Sequence, residues 1–165
     1  MSLDVARTTT ETFRRATENG DVELAVSMMS EDVVLRSPLT DRGRFTGKAD
    51  VRAVFEAAMG SFKDIRFHTD LGDDRKRALF YRGRVGRTAI EECSLVRLDE
   101  EGRIVELTMW IRPLPGIVAV MGALGPKIAR GFGKPRMAVL LSVLIKPLQL
   151  MVGSGDKLAA RVLKR

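Results

Sequence analysis

The 165-residue chain has very few of the residues that build cross-links or metal sites. Cys93 is its only cysteine and His68 its only histidine. A lone cysteine excludes an intramolecular disulfide and fits a reducing cytosol, and these two side chains are too few for a cysteine- or histidine-based metal site. The sequence also lacks the glycine-rich loops that hold nucleotide phosphates. We therefore expect neither a metal nor a cofactor.

A secretory leader is not indicated either. The N-terminal residues MSLDVARTTTETFRR have no apolar stretch behind their charges, whereas a signal peptide needs one. The composition, 45% hydrophobic and 30% charged, is typical of a globular protein. We therefore expect a cytoplasmic protein. The chain is too short for two ordinary domains, so we expect one domain with an appendage.

Charge is divided unevenly along the chain, whose net charge is +7. Residues 113–165 carry nine basic side chains and one acidic, a net of +8, whereas residues 1–112 carry 19 basic and 20 acidic, a net of −1. The excess positive charge belongs to the C-terminal segment alone. An anionic partner is therefore expected for that segment and not for the rest of the chain.

Apolar residues recur at helical spacing early in the chain and at alternate positions later. Helices are predicted for Asp4–Glu18, for a short segment capped by Asp21 and for Lys48–Met59. This order predicts an α+β fold in which a curved antiparallel sheet carries the helices on one face. The predicted strands are Asp32–Arg36, Ile65–Leu71, Arg77–Val85, Ala89–Leu98 and Arg103–Arg112.

Pro113 and Pro115 mark a boundary between a domain, residues 1–112, and a tail, residues 113–165. In the tail, glycine and proline separate three apolar pieces, at 116–129, 137–152 and 157–163. The longest uninterrupted apolar run, MAVLLSVLI, ends at Lys146. Crossing a bilayer takes ~20 apolar residues, so we expect none of the three pieces to span a membrane.

The tail allows two main interpretations. Its apolar and basic residues segregate on predicted helices, which is typical of helices that lie flat on an anionic membrane surface. The same pattern fits helices that pack on the domain or on a second subunit. A nucleic-acid partner is not expected, because Phe132 is the only aromatic residue of the tail that bases could stack on.

Three strings in the first 112 residues resemble one known family: GDVELAVSMMSEDVVLRSP, FTGKADVRAVFEA and SLVRLDEEGRIVELTMW. They are similar to the second helix and first strand, the glycine-led third helix and the last hairpin of the ketosteroid-isomerase-like family, also called SnoaL-like or nuclear transport factor 2-like. The resemblance implies a cone-shaped sheet with three N-terminal helices and dimerisation through the outer sheet face. It implies little about activity, because this fold hosts isomerases, cyclases, hydrolases and binding modules.

The catalytic groups of the isomerases are missing from the matching positions. Ser37 stands where the isomerases have their basic aspartate, and Phe13 and Ser94 replace the tyrosine and the aspartic acid that hold the oxyanion. A further tyrosine falls at Phe55. Because proton transfer next to a carbonyl needs a base and preorganised donors, we expect no classical ketosteroid isomerisation.

The resemblance also predicts which residues line the cone. The predicted function is binding of a small hydrophobic molecule, such as a lipid, steroid or polyketide, in a largely apolar cavity, with the tail as lid or membrane contact. A closed core with no cavity is the alternative, since it would have the same pattern. The predicted ligand-binding residues are Phe13, Ser37, Phe55, Met59, Phe67, Tyr81, Ser94, Leu107, Met109 and Ile111.

Catalysis by Glu92 or Tyr81, in an isomerase-, cyclase- or hydratase-type enzyme, is the second functional hypothesis. A carboxyl inside an apolar cone would have a raised pKa and act near neutral pH. The neighbouring Glu91 points to the opposite face, so a shift of one residue in strand pairing would exchange the two.

Two further groups have less specific patterns. His68 alternates with Arg66 and Asp70, which predicts that all three lie on the polar outer face of their strand. Asp41 stands beside two arginines, Arg42 and Arg44, in the loop after the first strand. That loop would hold either an epoxide-hydrolase-like Asp–Arg pair or a solvated charge cluster.

Overall fold

The computed structural model describes residues 2–41 and 44–163. Along this part of the chain, helices and strands follow the predicted order, with a short additional strand, β2, before the third helix. The elements are α1 (Leu3–Asn19), α2 (Val22–Ser27), β1 (Met29–Arg36), β2 (Arg44–Thr46), α3 (Lys48–Met59), β3 (Phe62–Gly72), β4 (Lys76–Val85), β5 (Thr88–Leu98), β6 (Ile104–Arg112), α4 (Leu114–Gly131) and α5 (Pro135–Leu163).

The ends of the first two helices follow from local sequence. The side chain of Ser2 accepts a hydrogen bond from the backbone N–H of Val5 and begins α1. Gly20 ends that helix in the left-handed conformation, at φ 73°, which glycine adopts without a steric cost. Asp21 then caps α2 through a 2.9 Å hydrogen bond from the N–H of Leu24, as predicted.

The six strands form one curved sheet in the order β2-β1-β6-β5-β4-β3. Four of the five strand pairs are antiparallel, and β1 pairs with β6 in parallel. The α+β fold class is thus confirmed, but the sheet is mixed rather than wholly antiparallel. The reason is that β1 pairs with β6, the last strand along the chain, so no tight hairpin turn forces these two strands to be antiparallel.

Bulges change which side chains face inward on two strands. On β3 the pairing shifts between Phe67 and Thr69, so the prediction that Asp70 lies on the outer face is wrong. Asp70 instead accepts hydrogen bonds from Thr10 of α1 and from the buried Arg77, at 2.8 and 2.7 Å. Its neighbour Leu71 is 62% exposed. An extra residue in one strand reverses the inward and outward faces beyond it.

The same effect occurs at the start of β6. Arg97 pairs with Glu106 while Leu98 pairs with Ile104, which leaves Val105 in a bulge. Ile104 is therefore fully buried and belongs to the core between the sheet and the helices, together with Leu107.

The helix α4, the first helix of the predicted tail, packs over the cone. Its Val120 and Leu124 are buried in a cluster with Tyr81 and Ile90 of the sheet. The ammonium of Lys127 donates hydrogen bonds to the carbonyl of Gly60 and to the hydroxyl of Ser61, at 3.1 and 2.7 Å. Both contacts hold α4 against the end of α3.

The last helix, α5, runs for 29 residues through Pro147, so the predicted division of the tail into three pieces is wrong. Ala138 and Ile145, before the proline, are buried against α4, and Gln149, after it, lies close to Gly122 of α4. Packing on α4 therefore supports the helix on both sides of the proline. The segment Pro135–Asp156 has 22 residues and is, by length and composition alone, long and apolar enough to cross a membrane. The expectation that every tail segment is too short is therefore wrong as well.

Candidate functional site

A cavity of about 550 Å³ lies inside the cone. The inner face of the sheet and the helices α1, α3 and α4 form its walls, and most of the lining side chains are apolar. The structure thus contains a cavity where a closed core was the alternative. Its volume falls within the range of small-molecule sites, about 300–1,000 Å³.

Glu92 is the one buried acidic residue among the described side chains that line this cavity. In the sheet, Glu92 is paired with Tyr81 on one side and Ile111 on the other, and all three line the cavity. Glu92 is 2% exposed. Glu91 faces outward, where its carboxylate lies 3.2 Å from the guanidinium of Arg82. The pairing therefore decides between the two glutamates, which the sequence alone left open.

Two hydroxyl groups hold the Glu92 carboxyl in place. The Tyr81 hydroxyl donates to Oε2 at 2.6 Å, and the Ser94 hydroxyl donates to Oε1 at 2.8 Å. The ring of Tyr81 in turn packs against that of Phe67, with centroids 5.1 Å apart. Because these donors come from the rigid centre of the sheet, they fix the orientation of the carboxyl.

Burial dominates the electrostatics of this cluster. Loss of water raises the pKa of Glu92, and the hydrogen bonds from Tyr81 and Ser94 oppose that rise only in part. The pKa of Tyr81 is raised well above its ordinary value of 10, first by burial and then by the charge of Glu92. Tyr81 therefore stays protonated and remains a hydrogen-bond donor at neutral pH.

The predicted lining residues fall into two groups. Leu107 is fully buried in the core and is not among the side chains that form the wall. The other nine line the cavity: Phe13, Ser37, Phe55, Met59, Phe67, Tyr81, Ser94, Met109 and Ile111. Phe13 and Phe55 meet edge to face, 5.9 Å apart, where the isomerases carry tyrosines. They contribute only apolar surface.

The helix α4 provides a part of the wall for which the sequence predicted no residues, although it suggested the tail as a lid. Val120, Leu124 and Ile128 of this helix line the cavity. Their spacing of four residues indicated an apolar helix face, but not the surface that this face covers. Near the end of α4, the ring of Phe132 lies 5.9 Å from that of Phe45 in β2.

Exposed lining residues mark the mouth of the cavity. Arg44 and Lys134 are its exposed basic residues, and the hydroxyl of Ser37 accepts the N–H of Leu39 in the adjacent loop, at 3.1 Å. Asp41 lies beside Arg44 in a second depression next to this mouth. Arg42, the other arginine of the predicted Asp–Arg pair, lies outside the described residues.

The residues at the remaining candidate positions have other surroundings. His68 is exposed on the outer face, with its Nε2 3.6 Å from the Glu91 carboxylate. Within residues 2–41 and 44–163, no cluster of three or more His, Cys, Asp or Glu side chains suits a metal ion. The chemistry of the site is therefore that of Glu92 with its two hydroxyl donors, which can bind a polar group or move a proton.

Comparison with known proteins supports the fold. The SnoaL-like domain model matches residues 10–107. The steroid delta-isomerase of Pseudomonas aeruginosa has 25% identity and a TM-score of 0.67, over 78% of this chain and 92% of that one. An uncharacterized protein with a cystatin-like fold from Silicibacter pomeroyi has 23% identity and a TM-score of 0.71, over 78% and 93%.

A third solved structure is SalBIII, an epoxide hydrolase/cyclase-like enzyme of pyran ring formation in salinomycin. It has 19% identity and a TM-score of 0.56, over 65% of this chain and 90% of that one. A search of the curated proteins gave no significant match. The family model covers more than half of the chain, and the cone fold is shared with these structures. The chain belongs to the SnoaL-like domain family.

Proposed function

We propose that the protein binds a small, largely apolar molecule in the cone, with α4 as the lid of the cavity. The observation that carries this proposal is a cavity of about 550 Å³ whose walls are mostly apolar and include one buried hydrogen-bonded cluster, Glu92 with Tyr81 and Ser94. Apolar walls contribute binding affinity but do not fix the orientation of a ligand, whereas a few buried polar groups do.

The cluster of Glu92, Tyr81 and Ser94 defines what the ligand should carry. Glu92 accepts one hydrogen bond at each carboxylate oxygen from protein donors, and each oxygen has a further lone pair for a ligand donor. A hydroxyl or an amide N–H is therefore the complementary group. A ligand that placed a hydrogen-bond acceptor next to Glu92 would bind poorly, because that buried acceptor would have no donor.

The fluorescent probe 1-anilinonaphthalene-8-sulfonate, an anion whose aromatic rings bind apolar sites, tests the proposal. Ala58 lines the cavity from α3, whereas Ala53 of the same helix is partly exposed and does not line it. The phenylalanine side chain of Ala58→Phe would fill part of the cavity and should weaken probe binding about tenfold. Ala53→Phe is the matched control and should bind as the unchanged protein does.

Mass spectrometry of the purified protein gives a second measurement. A small molecule that co-purifies with the unchanged protein and with Ala53→Phe, but not with Ala58→Phe, is the expected result. Equal probe binding by the two variants would contradict the cavity as the binding site, provided that both melt at the same temperature.

Proton transfer by Glu92 is the second candidate function. It is favoured by one observation, the buried carboxyl with a raised pKa that faces the cavity, because such a group is suited to act as an acid or base near neutral pH. The similarity in fold to the steroid delta-isomerase of Pseudomonas aeruginosa also supports this candidate. Once a substrate is identified, Glu92→Gln should abolish its turnover while substrate binding persists.

Classical ketosteroid isomerisation is not part of this second candidate. Phe13 and Ser37 line the cavity where that reaction needs a tyrosine and an aspartate. An unconjugated 3-ketosteroid should therefore show no rise in the ultraviolet absorbance of the conjugated product. Turnover that Ser37→Ala abolishes would contradict this assignment.

A further inference from the structure

The outer side of α5 is a continuous apolar surface, which we call the α5 outer face. It is formed by Val139, Leu140, Val143, Leu144, Leu150 and Met151, all exposed. Val143 is 62% and Leu150 is 74% exposed. An exposed run of large apolar side chains along one helix marks an interaction surface, because soluble proteins rarely expose such patches.

The opposite side of the same helix is occupied by α4. Ala138 and Ile145 are buried there, and a Cβ added at Gly122 of α4 would lie 2.6 Å from the Gln149 amide nitrogen. The two helices therefore pack closely along this side. Partner binding is left to the α5 outer face alone.

Basic residues stand at both ends of this surface. Lys134 and Arg136 precede it, Lys157 and Arg161 follow it, and Asp156 is the only acidic residue of residues 113–165. Lys146 lies on the exposed flank, next to the apolar stripe. An apolar strip bordered by cations complements a surface that has an oily interior and negatively charged head groups.

We propose that the protein docks on anionic lipid bilayers with the α5 outer face lying in the plane of the membrane interface. A second copy of this chain fits the surface less well. Two α5 helices packed face to face, in either direction, bring basic ends together, and Asp156 is the only acidic residue that each helix has to neutralise them. Like charges in contact are unfavourable. Anionic lipid supplies the missing counter-charge.

The helix lies in the interface and does not cross the membrane. Crossing would require α5 to leave α4, which would expose the close-packed side of both helices around Gly122 and Ile145. It would also place the ammonium of Lys146 near the bilayer centre, where a charge is costly. In the plane of the interface, Lys146 reaches the head groups through its flexible stem.

Docking in this way places the cavity mouth at the lipid. Phe132 and Lys134, just before α5, and Leu141, in its second turn, all line the cavity. An apolar ligand dissolved in the bilayer would then reach the cavity without crossing water. This consequence rests on the proposed function, whereas the docking itself does not.

Vesicle co-sedimentation of the full-length protein tests the docking. We expect binding to vesicles of phosphatidylglycerol and phosphatidylcholine but not of phosphatidylcholine alone. Binding should weaken as salt rises from about 0.05 M to about 0.5 M, because the charges are then screened within a few ångströms. Val143→Glu and Leu150→Gln should each lower the partition coefficient between vesicles and water about tenfold, because each substitution removes one large apolar side chain from the lipid.

Leu71→Glu is the matched control, since Leu71 is as exposed as Val143 but lies at the end of β3. It should sediment as the unchanged protein does, and circular dichroism melts should show that all variants fold. Ala58→Phe should keep vesicle binding while it loses the cavity probe, which separates failure of the docking from failure of the proposed function.

Three results would overturn the proposal. One is equal binding to neutral and anionic vesicles, or binding to neither. Another is a dimer in solution that Val143→Glu dissociates, which would make a second copy the occupant of the α5 outer face. The third is retention in the membrane after an alkaline carbonate wash, which removes helices that lie in the interface and leaves helices that span the bilayer.

Discussion

At the scale of single residues, Glu92 links the cavity to the pH dependence of stability. Because burial raises its pKa, the folded protein holds this proton to a higher pH than the unfolded chain, whose ordinary glutamate value is 4.5. The favourable contribution is complete below that value and is lost as pH rises through the folded pKa. The ionised carboxyl therefore costs stability at neutral pH.

Glu92→Gln removes this cost and keeps a group that can accept from Tyr81. We expect the variant to melt higher than the unchanged protein at pH 8, and the gain to shrink towards pH 4. Each tenfold change in proton affinity corresponds to about 1.4 kcal/mol, which is about 3–6 °C of melting temperature for a chain of this size. Glu91→Gln, which removes the same charge from the outer face, is the control. A gain of equal size at both pH values would contradict this explanation.

At the scale of elements, the position of α4 depends on a close approach at its start. A Cβ added at Gly116 would lie 2.8 Å from the Cγ2 of Ile90 and 3.3 Å from the carbonyl oxygen of Ala89. Gly116→Ala should therefore lift the first turn of α4 from β5 and lower the free energy of unfolding by about 1–3 kcal/mol. Urea denaturation measures the loss.

Gly131 of the same helix provides the comparison. No atom of the described residues lies within 4 Å of a Cβ added there. Gly131→Ala should hold or raise the stability, by up to about 1 kcal/mol, because alanine favours the helix over glycine. Equal destabilisation by both substitutions would show that α4 does not depend on its contact with β5.

At the scale of the whole molecule, the two C-terminal helices differ in what they stabilise. A chain ending at Arg112 loses α4 and exposes the surface that Val120 and Leu124 cover, each worth about 1.5–3 kcal/mol when buried. We expect that chain to aggregate. A chain ending at Lys134 keeps α4, should stay folded with a melting temperature a few degrees lower, and should lose vesicle binding. Normal folding of the shorter chain would contradict the role of α4 in the core.

The outer face of the sheet leads to a prediction about assembly. Trp110 is 53% exposed there, next to the partly exposed Cys93 in the adjacent strand. We expect a homodimer through this face in light scattering, and Trp110→Glu should dissociate it while Val143→Glu should not. A monomer at every concentration tested would contradict the expectation.

Local sequence determined most of the elements and the general nature of the cavity. The cap at Asp21, the stop at Gly20 and the alternation through β4 and β5 are interactions between residues close in the chain, so they can be read without knowing the fold. Matching residues to the family then predicted nine cavity-lining positions and the absence of the isomerase catalytic groups at Phe13, Ser37 and Ser94.

Tertiary structure alone decided the features that depend on pairing between distant segments. Strand register assigned Glu92 to the cavity and Glu91 to the outside, and the bulge after Phe67 turned Asp70 towards α1. An alternation with a period of two residues indicates that neighbouring side chains face opposite sides of the sheet, but not which of them faces inward. One inserted residue exchanges the inward and outward sides for the residues beyond it. The apolar stripes on α4 and α5 likewise predicted two amphipathic helices. Only their packing showed that α4 closes the cavity while the outer face of α5 stays exposed. Amphipathicity identifies an apolar helix face but does not specify which surface will cover that face.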